Sequence, residues 1–566
     1  MNFKNELIEL LSSNIEELDK ATIEKLIETP KDPKMGNFAF PCFSLAKAFK
    51  KAPNMIAEEL KTKLSSELFE KIENVGPYLN FTINKETYLK QVLNEVFTKK
   101  DKFGYSNIGK EKNVIVEFSS PNIAKPFHIG HLRTTMIGNA INNIYKALGY
   151  NTTSVNHLGD YGKQFGLLIT AYKAWGDRET IEKDPINELL KLYVHVNQEI
   201  ENDPSIDDTA RAWFKKLEDG DKEAHEIWEW IREVSLAEFK RVYDMLGVDF
   251  DSYAGESFYS DKMPAVLKEL REKKIVKEDN GAEIVDFESF GENLPTALIT
   301  KSDGSSLYIT RDMAAAIYRK NTYKFEKNIY VVGSEQSLHF KQWIKTLDLM
   351  GKEWANDCVH VGYGLIHLAE GKMSTRKGTI VKLEDVLNKS IEKTLEIIND
   401  KNPNLPNKEL VAKQVGVGAI VFQDLFNNRI KDYTFDWDKT LSFEGESGPY
   451  VQYTHARACS ILRKFNDMDL LDINYSLIKD DEVINIINIL SKYETTIIQA
   501  GEKLEPYIIT RFSAELAKAF NKFYHDYSIS DSDEETKRAR LSIVYAVKTV
   551  LKSSLALIGV EAPEEM

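Results

Sequence analysis

Apolar and polar positions follow three successive patterns along this chain. Up to about residue 105 the pattern is mixed. Leu7, Leu10, Leu11 and Leu18 fall at helical spacing, Ile56 to Ile72 reads as a further helix, and Tyr78-Leu79-Asn80-Phe81-Thr82-Ile83 alternates as a half-buried strand does. Asp32 to Asn37 is turn chemistry, and lysines 99, 100, 102, 110 and 112 mark a solvated junction. A small α+β domain over 1–105 is predicted.

The second pattern opens with Asn113-Val114-Ile115-Val116-Glu117-Phe118, a nearly continuous apolar run of the kind buried in a parallel sheet. A helix follows, with Leu132, Met136, Ala140, Ile144 and Leu148 on one stripe and Gly149 where a C-terminal cap belongs. Thr152 to Val155 is a second strand. A βαβ opening predicts a doubly wound sheet with ligands at the carboxyl ends of its strands. Residues 176–250 read as a charged helical insertion. Strand patterns resume at Ala282 to Phe287, Asn328 to Val332 and Cys358 to Ile366, with a helix over Leu338 to Met350. Thr296 to Thr300 and Ser306 to Thr310 flank Asp303-Gly304 and predict a hairpin.

Lys401 to Asn407, with two prolines and three asparagines, is a linker. Beyond it the helical period holds over Val411 to Phe426, Tyr450 to Phe465, Asp481 to Ala500, Glu505 to Tyr524 and Lys537 to Ile558. The predicted fold is therefore α/β: a Rossmann-like parallel-sheet core over 106–400, an N-terminal α+β domain over 1–105 and an all-helical C-terminal bundle over 401–566.

Composition narrows the class. A chain of 566 residues exceeds one core, and 42% apolar with 29% charged residues is globular. The net charge of −14 argues against a general DNA-coating protein, while leaving room for a nucleic acid held by local basic patches. Cys42, Cys358 and Cys459 are far apart and form neither a disulfide framework nor a cysteine zinc site. The first twenty residues lack a signal-peptide core, and no apolar run is long enough to span a membrane, so a cytoplasmic protein is expected.

The candidate chemistry begins at His128-Ile129-Gly130-His131, where a buried strand gives way to a helix. Spacing of three puts both rings on one face of the first turn. The free N–H groups there suit phosphate, and Gly130 lets a flat ring or phosphate approach the backbone. Neutral or protonated imidazoles could donate to phosphate oxygens as charge develops. No third ligand of sensible spacing makes the pair a metal site. Far along the chain, Lys372-Met373-Ser374-Thr375-Arg376-Lys377-Gly378 places three cations after a strand, and such a loop can close over a triphosphate. Together the two segments indicate ATP-driven activation of an acid.

These motifs resemble the His-Ile-Gly-His and Lys-Met-Ser-Lys-Ser signatures of class I aminoacyl-tRNA synthetases. Ser119 to His128, Gly159-Asp160-Tyr161-Gly162-Lys163-Gln164-Phe165-Gly166 and Met373 to Thr379 resemble the arginyl-tRNA synthetase family closely, over essentially the whole chain. The resemblance implies that His128, His131, Lys125, Lys372 and Lys377 serve catalysis, and that His128, Gly130, His131, Met373 and Ser374 hold ATP. It matches Asn122, Glu256, Tyr308, Asp312 and Gln336 to arginine binding. Glu117, an acid in an apolar strand, is a further candidate pocket member. A planar cation calls for carboxylates, here Glu256 and Asp312, and Tyr308 and Asp312 are expected to straddle a strand-to-helix junction. Two positions depart from the family pattern. Thr375 stands at the usual second lysine, for which Lys125, Arg376 or Lys377 could compensate, and Tyr161 stands at a usual tryptophan.

The family relation further implies ATP with Mg²⁺ as substrate, no tightly bound cofactor, L-arginine and an arginine-accepting tRNA as partners, and activation that requires tRNA; no membrane partner is expected, and nothing in the sequence demands more than a monomer. Tyr453 and Arg457, in an aromatic and cationic stretch of the bundle, are candidate tRNA contacts. Two other readings are a small-molecule nucleotidyltransferase and a tRNA-binding paralogue without catalysis. The Met-Ser loop and the helical bundle speak against the first, the intact motifs against the second.

Overall fold

The computed structural model describes residues 3–301, 308–368, 381–466, 468–470 and 473–566. The chain forms two compact units, each assembled from separated segments.

The first unit contains 1–103, 454–494 and 515–553. Strands β1 (Phe38–Pro41), β2 (Phe69–Val75) and β3 (Tyr78–Ile83) form an antiparallel sheet in the order β1-β3-β2. Leu7, Leu11, Phe40, Ile56, Leu60, Leu79 and Phe81 close its core. The helix expected over Ile56 to Ile72 ends at Lys63. Ser65 and Ser66 interrupt the run, and Phe69 and Ile72 find cross-strand partners in Ile83 and Phe81. The Lys85–Lys99 helix packs on later helices of the same unit: the Tyr88 hydroxyl donates to Asn488 at 2.9 Å, and the Phe103 ring stacks on Tyr493.

The second unit contains 104–453, 495–514 and 554–566. Its main sheet is parallel throughout, in the order β10-β9-β4-β5, from β4 (Asn113–Glu117), β5 (Asn151–Val155), β9 (Lys327–Gly333) and β10 (Cys358–Tyr363). The chain leaves β4 to one side and returns on the other, so the order reverses between β4 and β9. That reversal makes a crevice at their carboxyl ends. Tyr330, Trp343, Phe340, Met313 and Val155 belong to the apolar layer beside this sheet.

A smaller antiparallel sheet follows the order β6 (Lys277–Asp279), β7 (Ala282–Val285), β8 (Ala297–Thr300). Here the hairpin expectation fails. Tyr308 to Thr310 open the Tyr308–Tyr323 helix instead of a strand, and Asp303-Gly304 lie outside the described residues. Ile309, Met313 and Ala316 form a buried stripe at helical spacing, and that burial outweighs the strand propensity of Tyr, Ile and Thr. The strand expected over Cys358 to Ile366 is two. It breaks at Gly364, and β11 (Ile366–Leu368) turns to pair in parallel with β12 (Tyr433–Phe435). Residues 178–246 are helical, as the insertion pattern indicated. The helix expected over Asp481 to Ala500 is likewise two, Asp481–Ser491 and Tyr493–Lys503. Among the described residues no helix is long and apolar enough to cross a membrane.

Candidate active site

The crevice is furnished by the segments leaving β4, β5 and β9. After β4, Phe127 stacks on His131 with ring centres 4.8 Å apart, and the His128 and His131 rings lie 4.0 Å apart. The first turn of the Gly130–Ala147 helix fixes both imidazoles through their own backbone. Gly130 N–H donates to His128 Nδ1 and His128 N–H donates to His131 Nδ1, both at 3.1 Å. With Nδ1 accepting, a neutral ring carries its proton on Nε2, so each histidine presents one N–H donor. Both rings are neutral near pH 7: burial lowers His128, and burial with the neighbouring His128 pushes His131 down to about 3.

Lys372, Met373, Ser374 and Lys377 lie outside the described residues. Their described flanks do reach the histidines. Ile129 N–H donates to Val381 O, Leu383 N–H donates to Phe127 O, and His128 bridges Lys382. Residues 381–383, some 250 positions on in sequence, are thus stitched to the first motif segment. Lys125 is exposed, with its ammonium 6.0 Å from the centre of the Tyr193 ring in the helical insertion.

The acidic candidates separate into two environments. Glu117 is buried and held by Arg319 at 2.5 Å, from the Tyr308–Tyr323 helix, whose guanidinium also meets the Tyr259 hydroxyl. The protein's own cation occupies it, and it does not stand open to the crevice. Glu256 and Asp312 belong to a second group. Glu256 starts a short helix, with its N–H bonded to Leu158 O after β5. Its carboxylate meets Arg311 at 3.1 Å, and the Arg311 guanidinium lies between the rings of Tyr161 and Tyr308, 5.4 and 5.5 Å from their centres. Burial raises Glu256 to about 7. Arg311 opposes that shift, and Asp312 and Asp160 add to it.

Asp312 accepts from His339 Nε2 at 2.5 Å. Tyr308 is 63% exposed, one turn before Asp312 on the same helix, so the two do not straddle a strand-to-helix junction. Gln336, exposed, ends the turn after β9 and precedes the helix that carries His339. Arg311 and His339 were not singled out from sequence. The signal for both was adjacency: one precedes Asp312 and the other follows Gln336 by three residues.

Asn122 is exposed on the loop after β4, where it forms a bridge with Gly159. A Cβ at Gly159 would stand 2.2 Å from Asn122 Oδ1, so glycine is required there by contact. Tyr453 is part-exposed with its ring against Phe443, 6.5 Å between centres. Arg457, in the first unit, donates to Asn521 at 2.5 Å and covers the Tyr524 ring. It lines a cavity of about 590 Å³ with Lys464, Phe465, Tyr524 and Tyr527.

Comparison with known proteins agrees with this arrangement. Family models match the chain as the catalytic domain of class I tRNA synthetases (R) over 92–437, a DALR anticodon binding domain over 451–566 and an arginyl tRNA synthetase N terminal domain over 5–83. An arginine–tRNA ligase of Halothermothrix orenii is 59% identical over 568 residues, and one of Clostridioides difficile is 56% identical over 566, each with 100% of both chains covered. The solved arginyl-tRNA synthetase of Thermus thermophilus superposes with a TM-score of 0.78 at 27% identity, covering 95% of this chain and 96% of that one. The Plasmodium falciparum enzyme shares the fold at a TM-score of 0.78 and 23% identity, covering 100% of this chain and 98% of that one. The resemblance carried by the two motifs is borne out over the full length: the chain belongs to the arginyl-tRNA synthetase family of class I aminoacyl-tRNA synthetases.

Proposed function

We propose that the chain is an arginine–tRNA ligase that activates L-arginine with ATP and transfers it to the 3′ end of its tRNA. In the first step an arginine carboxylate oxygen attacks the α-phosphorus of ATP, arginyl-adenylate forms and pyrophosphate leaves. In the second the terminal ribose hydroxyl of the tRNA attacks the activated carbonyl, and AMP leaves.

The observation that supports this reading is the proximity of two carboxylates, Glu256 and Asp312, on residues bonded to the segments that follow β5 and β9 of the same parallel sheet whose β4 leads into a pair of neutral histidine donors. Each carboxylate has a protein partner at one oxygen, Arg311 or His339. Each then keeps a second oxygen for the planar guanidinium, with Tyr308 beside it. Asn122 and Gln336, polar and uncharged, suit the amino and carboxylate ends. His128 and His131 would donate Nε2–H to phosphate oxygens, with Gly130 giving close backbone approach and Met373 and Ser374 completing the ATP site. Lys125, Lys372 and Lys377 would supply positive charge to answer the negative charge that develops on the phosphate oxygens. Glu117, whose carboxylate is already paired with Arg319, is given no direct arginine contact in this reading.

Mg²⁺ would arrive with the ATP phosphates. No dedicated protein cage is expected for it, since Mg²⁺ commonly keeps several waters and is held largely by substrate phosphates. Residues 1–105 and 401–566 would grip the tRNA body and anticodon, with Tyr453 and Arg457 among the contacts, and the enzyme would act as a cytoplasmic monomer. Activation is expected to need bound tRNA. Arginine-dependent charging of total tRNA tests the reading. Charging with arginine alone among the amino acids supports it, and the absence of arginine-dependent charging overturns it.

A further inference from the structure

The short loop after β5 joins the parts of the arginine site that come from distant sequence. Its backbone pairs with the Asn122 segment on one side: Ile123 N–H donates to Gly159 O and Gly159 N–H to Pro121 O, both at 3.1 Å. On the other side Leu158 O accepts the Glu256 N–H at 2.9 Å. The next residue, Asp160, is fully buried. Its Oδ1 accepts the Ser257 N–H at 2.8 Å and its Oδ2 accepts the Ser257 hydroxyl at 2.9 Å. Oδ2 also accepts Arg232 Nε at 2.9 Å, and the Asp160 carbonyl accepts Trp228 Nε1 at 2.8 Å.

Arg232 and Trp228 lie on the Lys222–Leu246 helix, in the insertion, and Arg232 also donates to Tyr253 O at 3.1 Å. The packing leaves no slack. A Cβ at Gly255 would meet Leu158 O at 2.5 Å and Asp160 Oδ1 at 2.6 Å. Three segments far apart in sequence therefore converge on one buried carboxylate, immediately beside Glu256.

We propose that Asp160, charge-paired with Arg232, is a positioning residue that sets the separation of Glu256 from Asn122 and so determines arginine binding. This rests on the assignment of Glu256 and Asn122 to arginine. A buried carboxylate without its partner is costly, so the clamp holds only while Arg232 from the insertion supplies the opposite charge and two further hydrogens come from Ser257. The insertion helix is thereby coupled to the amino-acid pocket without touching the substrate. A shift of about 1 Å in a binding group is worth on the order of a hundredfold in a well-fitted site.

The test compares D160N, R232Q, R232K and E256Q in the full chain with tRNA, reading the KM for arginine and for ATP separately alongside thermal melting. D160N and R232Q should raise the arginine KM about 10–100-fold with the ATP KM within about twofold, and R232K should recover most of the loss. A purely structural role would lower the melting temperature and move both KM values together or neither, and that result overturns the proposal. Should D160N fail to fold, S257A, which removes only one hydroxyl from the clamp, must show the same split. An arginine KM raised by E256Q but untouched by R232Q and S257A overturns the clamp alone. An arginine KM unchanged in E256Q overturns the pocket assignment and the clamp with it.

Discussion

Glu256 and Arg311 are paired 3.1 Å apart, yet the carboxyl of Glu256 is raised to about 7, because burial outweighs the neighbouring guanidinium. A carboxyl raised in the folded state favours folding when protonated. That contribution is complete below about 4.5, its ordinary value, and is lost as pH rises through about 7.

A second guanidinium, that of the substrate, would favour the ionised form and pull the carboxyl down. Arginine binding should therefore release a proton just below pH 7 and tighten as pH rises toward about 7, levelling off above it. Calorimetry at pH 6.5 in two buffers of different ionisation enthalpy measures the released proton, and E256Q should abolish it. Equal heats in both buffers would remove Glu256 from the binding step.

Arg133, two residues after His131, is 1% exposed and its Nε meets the fully buried Asp424 at 3.1 Å. Its Nη1 donates to Gly364 O and Lys431 O, clasping the break between β10 and β11. D424A leaves a buried cation uncompensated and should cost about 3–5 kcal/mol in denaturant unfolding. The apolar double variant R133M/D424L should recover part of that loss. A D424A protein of unchanged stability would contradict the pair's isolation from water.

Gly159→Ala should act on arginine and not on ATP. Its new methyl group would stand 2.2 Å from Asn122 Oδ1, so the asparagine must move. We expect an arginine KM raised about tenfold or more with the ATP KM near normal, measured by pyrophosphate exchange in the presence of tRNA.

His131→Asn should lower kcat of that exchange by about 10²–10³-fold, the usual loss for one donor aimed at developing charge. Its melting temperature should change little, since the asparagine Oδ1 can replace Nδ1 as the acceptor of the His128 N–H. Exchange within a few-fold of the parent would sink the role given to the ring.

The periodic elements of the core were legible because each buries a stripe: the run before Glu117 and the stripe from Leu132 to Ile144 read directly as a strand and a helix. Local propensity misled where tertiary burial decided, as at Tyr308-Ile309-Thr310, which resembles a strand and is a helix start. The two motifs announced the chemistry, and the acids Glu256 and Asp312 could be picked out by family likeness. Their partners Arg311 and His339 could not, because a partner is defined by space: Glu256 and Arg311 are 55 positions apart. The same applies to Glu117. Its oddity in an apolar strand was visible, and its neutralisation by Arg319 was not. The segments after 401 contribute to both compact units, so deletion of the bundle would expose core on each, and it is a poor test of anticodon binding.

The backbone contacts at Nδ1 of His128 and His131 have a consequence for how the reaction can be timed. Protonating either ring at Nδ1 would have to break a bond to the main chain, so the pair can lend hydrogens without surrendering or collecting them. Attack of a carboxylate on ATP needs no proton in flight, and this motif is built to keep it so. Adenylate formation should run at nearly the same rate in heavy water as in light, leaving any isotope effect to the later step, in which a ribose hydroxyl must lose its hydrogen.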